Sequence, residues 1–273
     1  MTILVAGGDS FVWGSELSDE IPSEHPSQHT FTSLLAKNNN LNYDCCAWAG
    51  NANNAISRDV INKCQQLKHH DKVVVVCWTF SSRYEFYFSY STRQKRSPWY
   101  SITPWTMLDT ANDIIDNVLS KSDPLKYAHL LNLSNAKFTG VFDFAKSFYK
   151  HVGDSEYFEI YSTFKEILFL QNYLKVNNIP YMFVTADWQE EALHRNLDET
   201  VQSLNEQIDW NNWYFFPPGD CNNPEHTTSK RGFYQWAVEN KYKIGVTHPL
   251  EDAHYDASIL LQEKFNEMVK KFI

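Results

Sequence analysis

The run from Lys72 to Trp78 constrains the fold more than any other part of this chain. Every residue after the lysine is apolar, so a strand formed here would present apolar side chains on both of its faces. Strands of that kind lie at the centre of parallel sheets, where helices cover both sides. The chain is therefore expected to fold as an α/β protein with a mostly parallel sheet.

The remaining sequence alternates between strand-like and helix-like segments. Further strands are predicted at about 2–7, 42–47 and 181–185, with a late one from Trp210. Helices are predicted at about 29–38, 53–67, 255–271 and from Asp154 to about 177. This order indicates a three-layer α/β/α sandwich, and we interpret residues 1–273 as a single domain.

Residues 86–150 fit the alternation least well. They are rich in aromatic residues and irregular, with amphipathic segments near 105–120 and 140–150. We interpret them as an aromatic-rich helical insertion that caps the carboxyl edge of the sheet beside Ser10. Its basic cluster, from Arg93 to Arg96, is either a contact for an acidic or sugar substrate or an ordinary solvated loop.

Ser10 follows the first predicted strand across a turn made by Gly7 and Gly8. This position is the carboxyl end of a strand, the edge at which open α/β sheets build their sites. The glycines allow a sharp bend and leave space for a substrate beside the serine. Ser10 is therefore either a nucleophile or the cap of the following helix.

Two further segments offer the partners that a serine nucleophile needs. His248 is followed by Pro249 just ahead of the last helix, so its imidazole can be held as a general base. His254 is the alternative, six residues later. Gly50 follows the second strand and offers an amide to an oxyanion, and Asn53 offers a side-chain donor.

Three blocks carrying these residues resemble the SGNH, or GDSL-type, hydrolases over nearly the whole chain. Gly8-Asp9-Ser10 is similar to the first block, which holds the nucleophile, and Gly50 is similar to the oxyanion glycine of the second. His248-Pro249 is similar to the fifth block, which holds the base. The segments Trp13–Leu17 and Trp78–Glu85 look closest to small SGNH-like proteins of phages and bacteria.

The resemblance implies a flavodoxin-like sheet in the SGNH hydrolase fold and a serine esterase that uses Ser10 and His248. It also implies acetyl esters, notably on carbohydrates, as substrates. Two other functions stay open: a catalytically weak or inactive relative that binds carbohydrate or belongs to a virion, and an acyltransferase.

The chain departs from the family pattern at the third member of the triad. The family's fifth block has an aspartate three residues before the histidine, and Gly245 stands there instead. A Ser-His dyad is one interpretation of this difference. The other is that Glu251 or Asp252 orients His248 from the opposite side.

A second departure concerns the oxyanion hole. The Asn-containing element that follows the third strand in the family is replaced here by the segment from Cys77 to Ser82. Thr79, Ser81 or Asn53 is therefore expected to supply the missing donor.

Composition restricts the partners and the cellular compartment. A net charge of −9 argues against general nucleic-acid binding, and the histidines lack metal-ligand spacing, so we expect no metal and no cofactor. The five cysteines are expected to be free thiols, several of them buried.

No signal peptide and no membrane-spanning run is found, which predicts a soluble cytoplasmic protein, or a host-cytoplasmic or virion protein if the gene is viral. The expected partner is a small-molecule or carbohydrate ester.

Overall fold

A computed structural model describes residues 2–21, 24–88, 99–104, 141–188, 198–219 and 230–270. The strands in these ranges are β1 (Ile3–Gly7), β2 (Asn42–Cys45), β3 (Lys72–Trp78), β4 (Tyr84–Tyr87), β5 (Trp99–Ile102) and β6 (Tyr181–Thr185). Four of them form one sheet in the order β2-β1-β3-β6, and every pairing in it is parallel. The apolar strand β3 is an inner strand, as its sequence predicts.

Helices follow most of these strands. Those in the described residues are α1 (Ser10–Trp13), α2 (Phe31–Asn38), α3 (Asn53–Gln66), α4 (Val141–Phe148), α5 (Glu156–Val176), α6 (Glu199–Gln207), α7 (Phe233–Glu239) and α8 (Glu251–Lys270). A π-helical turn, Tyr149–Gly153, follows α4, and a 3₁₀ turn spans Trp210–Asn212.

The side chains of the sheet divide between two apolar layers. In β3, Val75 and Cys77 pack in a cluster with residues of α2, α7 and α8. Their neighbours Val74 and Val76 pack in the opposite cluster with residues of α3 and α5. Because successive side chains of a strand point to opposite faces, helices cover both sides of the sheet. The three-layer α/β arrangement expected from the sequence is confirmed.

The prediction of a late strand from Trp210 is wrong. The segment begins with a 3₁₀ turn, and Trp213 makes only an isolated parallel bridge to Phe183 of β6. Three residues later, the backbone groups of Phe216 pair with those of Arg231 and not with β6. The aromatic run packs against β6 without extending the sheet by a full strand.

Two helix starts also differ from the sequence prediction. The helix predicted from Asp154 is capped by Ser155, whose side chain accepts a hydrogen bond from the amide of Phe158. The last helix begins at Glu251 and not near 255, so its first turn contains both Glu251 and Asp252. Carboxylates there interact favourably with the positive end of the helix dipole.

The described part of the predicted insertion forms a third apolar cluster. Strands β4 and β5 make an antiparallel hairpin that packs with α4 and the π-helical turn. The hairpin is fixed to α3 because the Asn54 side chain exchanges two hydrogen bonds with the backbone of Glu85, at 2.9 and 3.0 Å. The segment predicted near 140–150 is helix α4. The predicted segment near 105–120 and the basic cluster Arg93–Arg96 lie outside the described residues, so a cap over residues 86–150 stays a prediction.

The cysteines and the long helices add two further observations. Cys45, Cys46, Cys64 and Cys77 are free thiols, of which Cys64 and Cys77 are buried, while Cys221 lies outside the described residues. Burial raises the pKa of the Cys64 thiol to about 11. Within the part of the chain that the structure describes, no helix is both long and apolar enough to cross a membrane.

The contribution of α8 to the core can be measured with one pair of variants. Leu261 is fully buried, so Leu261→Ala is expected to lower the free energy of unfolding by about 2–5 kcal/mol, through lost contacts and a residual cavity. Ile259, on the same helix, is 53% exposed, and Ile259→Ala is expected to cost less than about 1 kcal/mol. Urea unfolding measures both values. Equal losses would contradict the described packing of α8.

Candidate active site

The turn after β1 places Ser10 at the carboxyl edge of the sheet. A Cβ atom on Gly7 would collide with Val60, and one on Gly8 would collide with Val12, so both positions need glycine. Asp9 caps α1 by accepting a hydrogen bond from the amide of Phe11 at 3.0 Å. Ser10 is therefore the first residue of the helix, and the capping role considered for it belongs to Asp9.

Asp9 is completely buried and anchors this turn to the segment that follows β3. Its carboxylate accepts a hydrogen bond from the Thr79 hydroxyl at 2.6 Å and pairs with the Arg83 guanidinium at 2.9 Å. A buried carboxylate needs such partners, because an isolated buried charge is strongly unfavourable. Asp9 fixes the position of the serine that follows it.

Ser10, His248 and Glu16 form a continuous hydrogen-bonded chain. The Nε2 atom of His248 lies 2.8 Å from Oγ of Ser10, and its Nδ1 atom lies 2.7 Å from Oε1 of Glu16. The ring of Phe11 packs edge-on against the imidazole at 5.2 Å. Ser10 is 7% exposed and the His248 side chain 12%, so neither residue is sealed from solvent. This is the geometry of a serine nucleophile, a base and an acid that orients the base.

Glu16 reaches the imidazole through an unusual backbone conformation. Its φ of 73° lies in the left-handed region, which a glutamate seldom occupies. The carboxylate accepts hydrogen bonds from the amide of Val246 and from the amide and hydroxyl of Thr247, so it is tied to the loop that carries His248. Such strain persists where surrounding contacts determine the conformation.

These contacts also set the ionisation of Glu16. Burial raises the pKa of its carboxyl group, but the hydrogen bond and charge of His248, with the Val246 and Thr247 bonds, outweigh burial and lower the pKa to about 2. Glu16 is therefore a carboxylate at neutral pH. An ionised partner at Nδ1 keeps the proton on that nitrogen and leaves Nε2 as the acceptor facing Ser10.

The two carboxylates considered from the sequence lie elsewhere. Glu251 accepts a hydrogen bond from the amide of Ser18 at 2.8 Å, and Asp252 is exposed in the first turn of α8. Glu16, in contrast, occupies the position beside Nδ1. The fifth-block pattern could not indicate it, because Glu16 is six residues after the nucleophile. Glu16 is the first acidic residue on the carboxyl side of Ser10, but Asp19 and Glu20 follow closely, and no local pattern marks Glu16 as the partner of His248.

The side chains expected to complete an oxyanion hole are engaged within the fold. Asn53 accepts a hydrogen bond from the Thr79 amide at 2.9 Å, and its own amide group donates to Thr79 O and to Thr163 Oγ1 at 3.3 and 3.2 Å. The Thr79 hydroxyl donates to Asp9. Both residues thus connect the end of β3 to the start of α3 and to the Ser10 turn. Ser81 donates its hydroxyl to Glu159 at 3.0 Å.

Gly50 differs from these residues in being open. Its φ of 83° requires glycine, and a Cβ atom added there would meet nothing within 4 Å. The space on the Cβ side of Gly50 is therefore open, and the resemblance to SGNH hydrolases implies that its amide takes part in an oxyanion hole. The amides of Ser10 and Gly50 are therefore the candidates for an oxyanion hole.

His254, the alternative base, is a core residue. It is 1% exposed, its ring stacks on that of Phe31, and its Nδ1 atom accepts a hydrogen bond from the Phe31 amide at 3.2 Å. Burial lowers its pKa from 6.5 to about 3, so the folded protein keeps it neutral.

Among the described residues, no group of three or more His, Cys, Asp or Glu side chains is arranged to hold a metal ion.

The buried imidazole makes stability depend on pH in a defined direction. Between pH 6.5 and about 3, the unfolded chain binds a proton at His254 that the folded chain does not, so stability falls as pH falls. From about pH 7 to about pH 5 this residue is expected to cost about 2 kcal/mol of unfolding free energy. His254→Asn, which keeps an acceptor for Phe31, should lack this loss in urea titrations. The exposed control His70→Asn should retain it, and an unchanged pH dependence in His254→Asn would contradict the assignment.

No family model and no curated protein sequence matches this chain. The solved structures that resemble this chain include the following three. The psychrotrophic esterase EstA from Pseudoalteromonas has a TM-score of 0.43 and 10% identity, with 99% of this chain and 97% of that one covered. A lipolytic protein of the G-D-S-L family from Veillonella parvula has a TM-score of 0.40 and 12% identity, covering 97% and 99%. A carbohydrate esterase has a TM-score of 0.39 and 15% identity, covering 97% and 68%. The function of this chain therefore rests on the geometry of its own site.

Proposed function

We propose that this protein is a serine esterase of the SGNH type, with Ser10 as nucleophile, His248 as base and Glu16 as the residue that orients the base. The observation that carries the proposal is the pair of hydrogen bonds from Ser10 to His248 and from His248 to Glu16, at 2.8 and 2.7 Å. A serine with a purely structural role does not need a histidine that is itself hydrogen-bonded to a carboxylate. A nucleophilic serine needs both.

In the first half of the reaction, Oγ of Ser10 attacks the ester carbonyl while Nε2 of His248 takes its proton. Glu16 stabilises the imidazolium that forms. His248 then gives the proton to the leaving alcohol, and an acyl group remains on Ser10. In the second half, His248 deprotonates a water molecule that attacks this acyl group, and the acid is released as Oγ regains its proton.

The oxyanion that develops at the carbonyl would accept hydrogen bonds from the amides of Ser10 and Gly50. The side chain of Asn53 is committed to Thr79 and Thr163, so it supplies no third donor in this arrangement. One such donor contributes about 3 kcal/mol to transition-state stabilisation. We expect turnover to be slower than in esterases with three donors.

The substrate class that we propose is an ester with a small acyl group. Acetyl esters of carbohydrates are the members of this class that the resemblance to SGNH hydrolases implies. Transfer of the acyl group to a sugar hydroxyl instead of water uses the same residues, so product analysis must separate the two reactions.

The test is acetate release from 4-nitrophenyl acetate and from acetylated oligosaccharides, with and without a sugar acceptor. We expect hydrolysis by the unmodified protein and by Ser203→Ala, which changes an exposed serine on α6. Acetate in solution identifies an esterase, and an acetylated acceptor identifies a transferase. Release no faster than in buffer alone would contradict the proposal and favour a non-catalytic relative.

A further inference from the structure

The backbone of Glu16 is held by a second carboxylate, which has no part in the reaction described above. The amide of the next residue, Leu17, donates to the backbone oxygen of Gly14, as in an ordinary turn. The amide of Glu16 donates instead to a side chain, the Oε2 atom of Glu20, at 3.3 Å. Glu20 therefore contacts the residue whose φ of 73° places a carboxylate beside His248.

The other oxygen of Glu20 is fixed by a buried tryptophan. Its Oε1 atom accepts a hydrogen bond from Nε1 of Trp13 at 2.9 Å, and Trp13 is 6% exposed. The Trp13 ring packs edge-on against that of Trp48 at 4.6 Å. Trp48 is itself held, since its amide donates to the backbone oxygen of Gly8 at 3.3 Å. Glu20 is thus attached to a packed indole and, through it, to the turn that carries Ser10.

Glu16 needs such a contact because its conformation is unfavourable in itself. A residue with a side chain seldom adopts a positive φ, and it keeps that conformation only where its surroundings determine it. The Val246–Thr247 loop holds the carboxylate of Glu16, and Glu20 holds its amide. Both ends of Glu16 are thereby fixed, and its carboxylate stays 2.7 Å from Nδ1 of His248.

Glu20 also interacts with the charges of the candidate active site. Burial raises the pKa of its carboxyl group, and the charge of Glu16 raises this pKa further. The hydrogen bonds from Trp13 and from the Glu16 amide, together with the charge of His248, act in the opposite direction without outweighing burial. Glu20 therefore occupies a place that is unfavourable for its charge, and two donors hold it there. Carboxyl groups in such places are concentrated at functional sites.

We propose that Glu20 is a positioning residue, which holds the backbone of Glu16 so that the Glu16 carboxylate keeps the proton of His248 on Nδ1. The inference rests on the proposed esterase function and on the role of Glu16 within it. Without Glu20, the Glu16 amide loses its acceptor, and the Glu16 carboxylate turns away from Nδ1 for part of the time. The imidazole proton then moves to Nε2 in a fraction of the molecules, and this nitrogen can no longer accept the proton of Ser10.

Kinetics measure this role through kcat. We expect Glu20→Ala to lower kcat for 4-nitrophenyl acetate by about 3- to 30-fold with KM unchanged, because the lost hydrogen bonds position the base and do not bind substrate. Glu20→Gln keeps the shape and one acceptor oxygen, so its loss should be smaller. In a Glu16→Gln background, Glu20→Ala should cause no further loss, since Glu20 acts through Glu16. The control is Glu24→Ala, an exposed carboxylate in the same loop, which should match the unmodified protein.

The tautomer of His248 measures the same role without any reaction. The ¹⁵N chemical shifts of an imidazole, recorded in mildly alkaline solution, show which nitrogen carries the proton. We expect the Nδ1–H form in the unmodified protein and in Glu24→Ala, and a mixture with the Nε2–H form in Glu20→Ala, with the signals assigned by means of His248→Asn. A merely structural role of Glu20 would lower the unfolding midpoint in urea and leave the tautomer unchanged.

The inference is overturned if Glu20→Ala keeps the kcat and the tautomer of the unmodified protein, or if its loss is as large in the Glu16→Gln background. If Glu20→Ala does not fold, the isosteric Glu20→Gln carries the test, and an unchanged tautomer in that variant overturns the inference equally. The two proposals fail separately. Hydrolysis with an unchanged tautomer in Glu20→Ala refutes only the role of Glu20, whereas a changed tautomer in a protein that hydrolyses no ester supports that role and refutes the esterase.

Discussion

Replacing Ser10 or His248 by alanine is expected to lower kcat/KM for ester hydrolysis by at least about 10⁴-fold. Ser10→Ala removes the atom that bonds to the carbonyl, and His248→Ala removes the group that takes the proton from that atom. Because the two residues act as one unit, the double variant is expected to be no slower than the slower single variant. Steady-state kinetics with 4-nitrophenyl acetate measure all three proteins.

The controls for this experiment are Ser203→Ala and His70→Ala, which change an exposed serine and an exposed histidine. Both should keep the activity of the unmodified protein and its unfolding midpoint in urea. Losses that multiply in the double variant would contradict a joint action of Ser10 and His248. Full activity in either single variant would contradict the assigned roles.

Glu16→Gln is expected to lower kcat by about 10³- to 10⁴-fold with little change in KM. Glutamine can still occupy the position beside His248, but it lacks the charge that stabilises the imidazolium. It can also present its amide group to Nδ1, which would place the imidazole proton on Nε2 and remove the acceptor for Ser10. A positioning role is recognised by this split between kcat and KM.

Glu251→Gln is the matched control, since it makes the same change at the carboxylate that bonds to the Ser18 amide. We expect its activity to differ from that of the unmodified protein by less than a factor of about 3, because Glu251 contacts neither Ser10 nor His248. If Glu251→Gln were the slower variant, the base would be oriented from α8 and not from Glu16. Equal activity of both variants with the unmodified protein would favour a Ser-His dyad.

The sequence predicts the sheet well where apolar patterning alone determines the structure. The run in β3 is apolar on both faces because helices cover both sides of it. Its composition therefore indicates an inner position in the sheet. The segment from Trp210 is rich in aromatic residues, yet it forms a turn and one bridge to β6. Aromatic side chains pack well in either arrangement, so composition could not separate the two.

Part of the candidate active site could also be predicted, because local sequence signals mark two of its residues. Ser10 and His248 lie beside local signals, a glycine turn and a following proline, that hold them whatever surrounds them. Glu16 reaches His248 only because its backbone adopts a φ of 73° and its carboxylate is held by the Val246–Thr247 loop. Contacts across 230 residues of sequence leave no local pattern. The same holds for Asn53 and Thr79, whose donors proved to be paired within the fold.

Fluorophosphonate labelling followed by mass spectrometry is the most direct measurement of whether Ser10 is an activated nucleophile. The reagent phosphonylates a serine hydroxyl only where a base has made it reactive. We predict one adduct per chain, located on the peptide that contains Ser10, and no adduct in Ser10→Ala or His248→Ala. An unlabelled native protein, or an adduct on another residue that persists in Ser10→Ala, would contradict the assignment of Ser10, His248 and Glu16 as a catalytic unit.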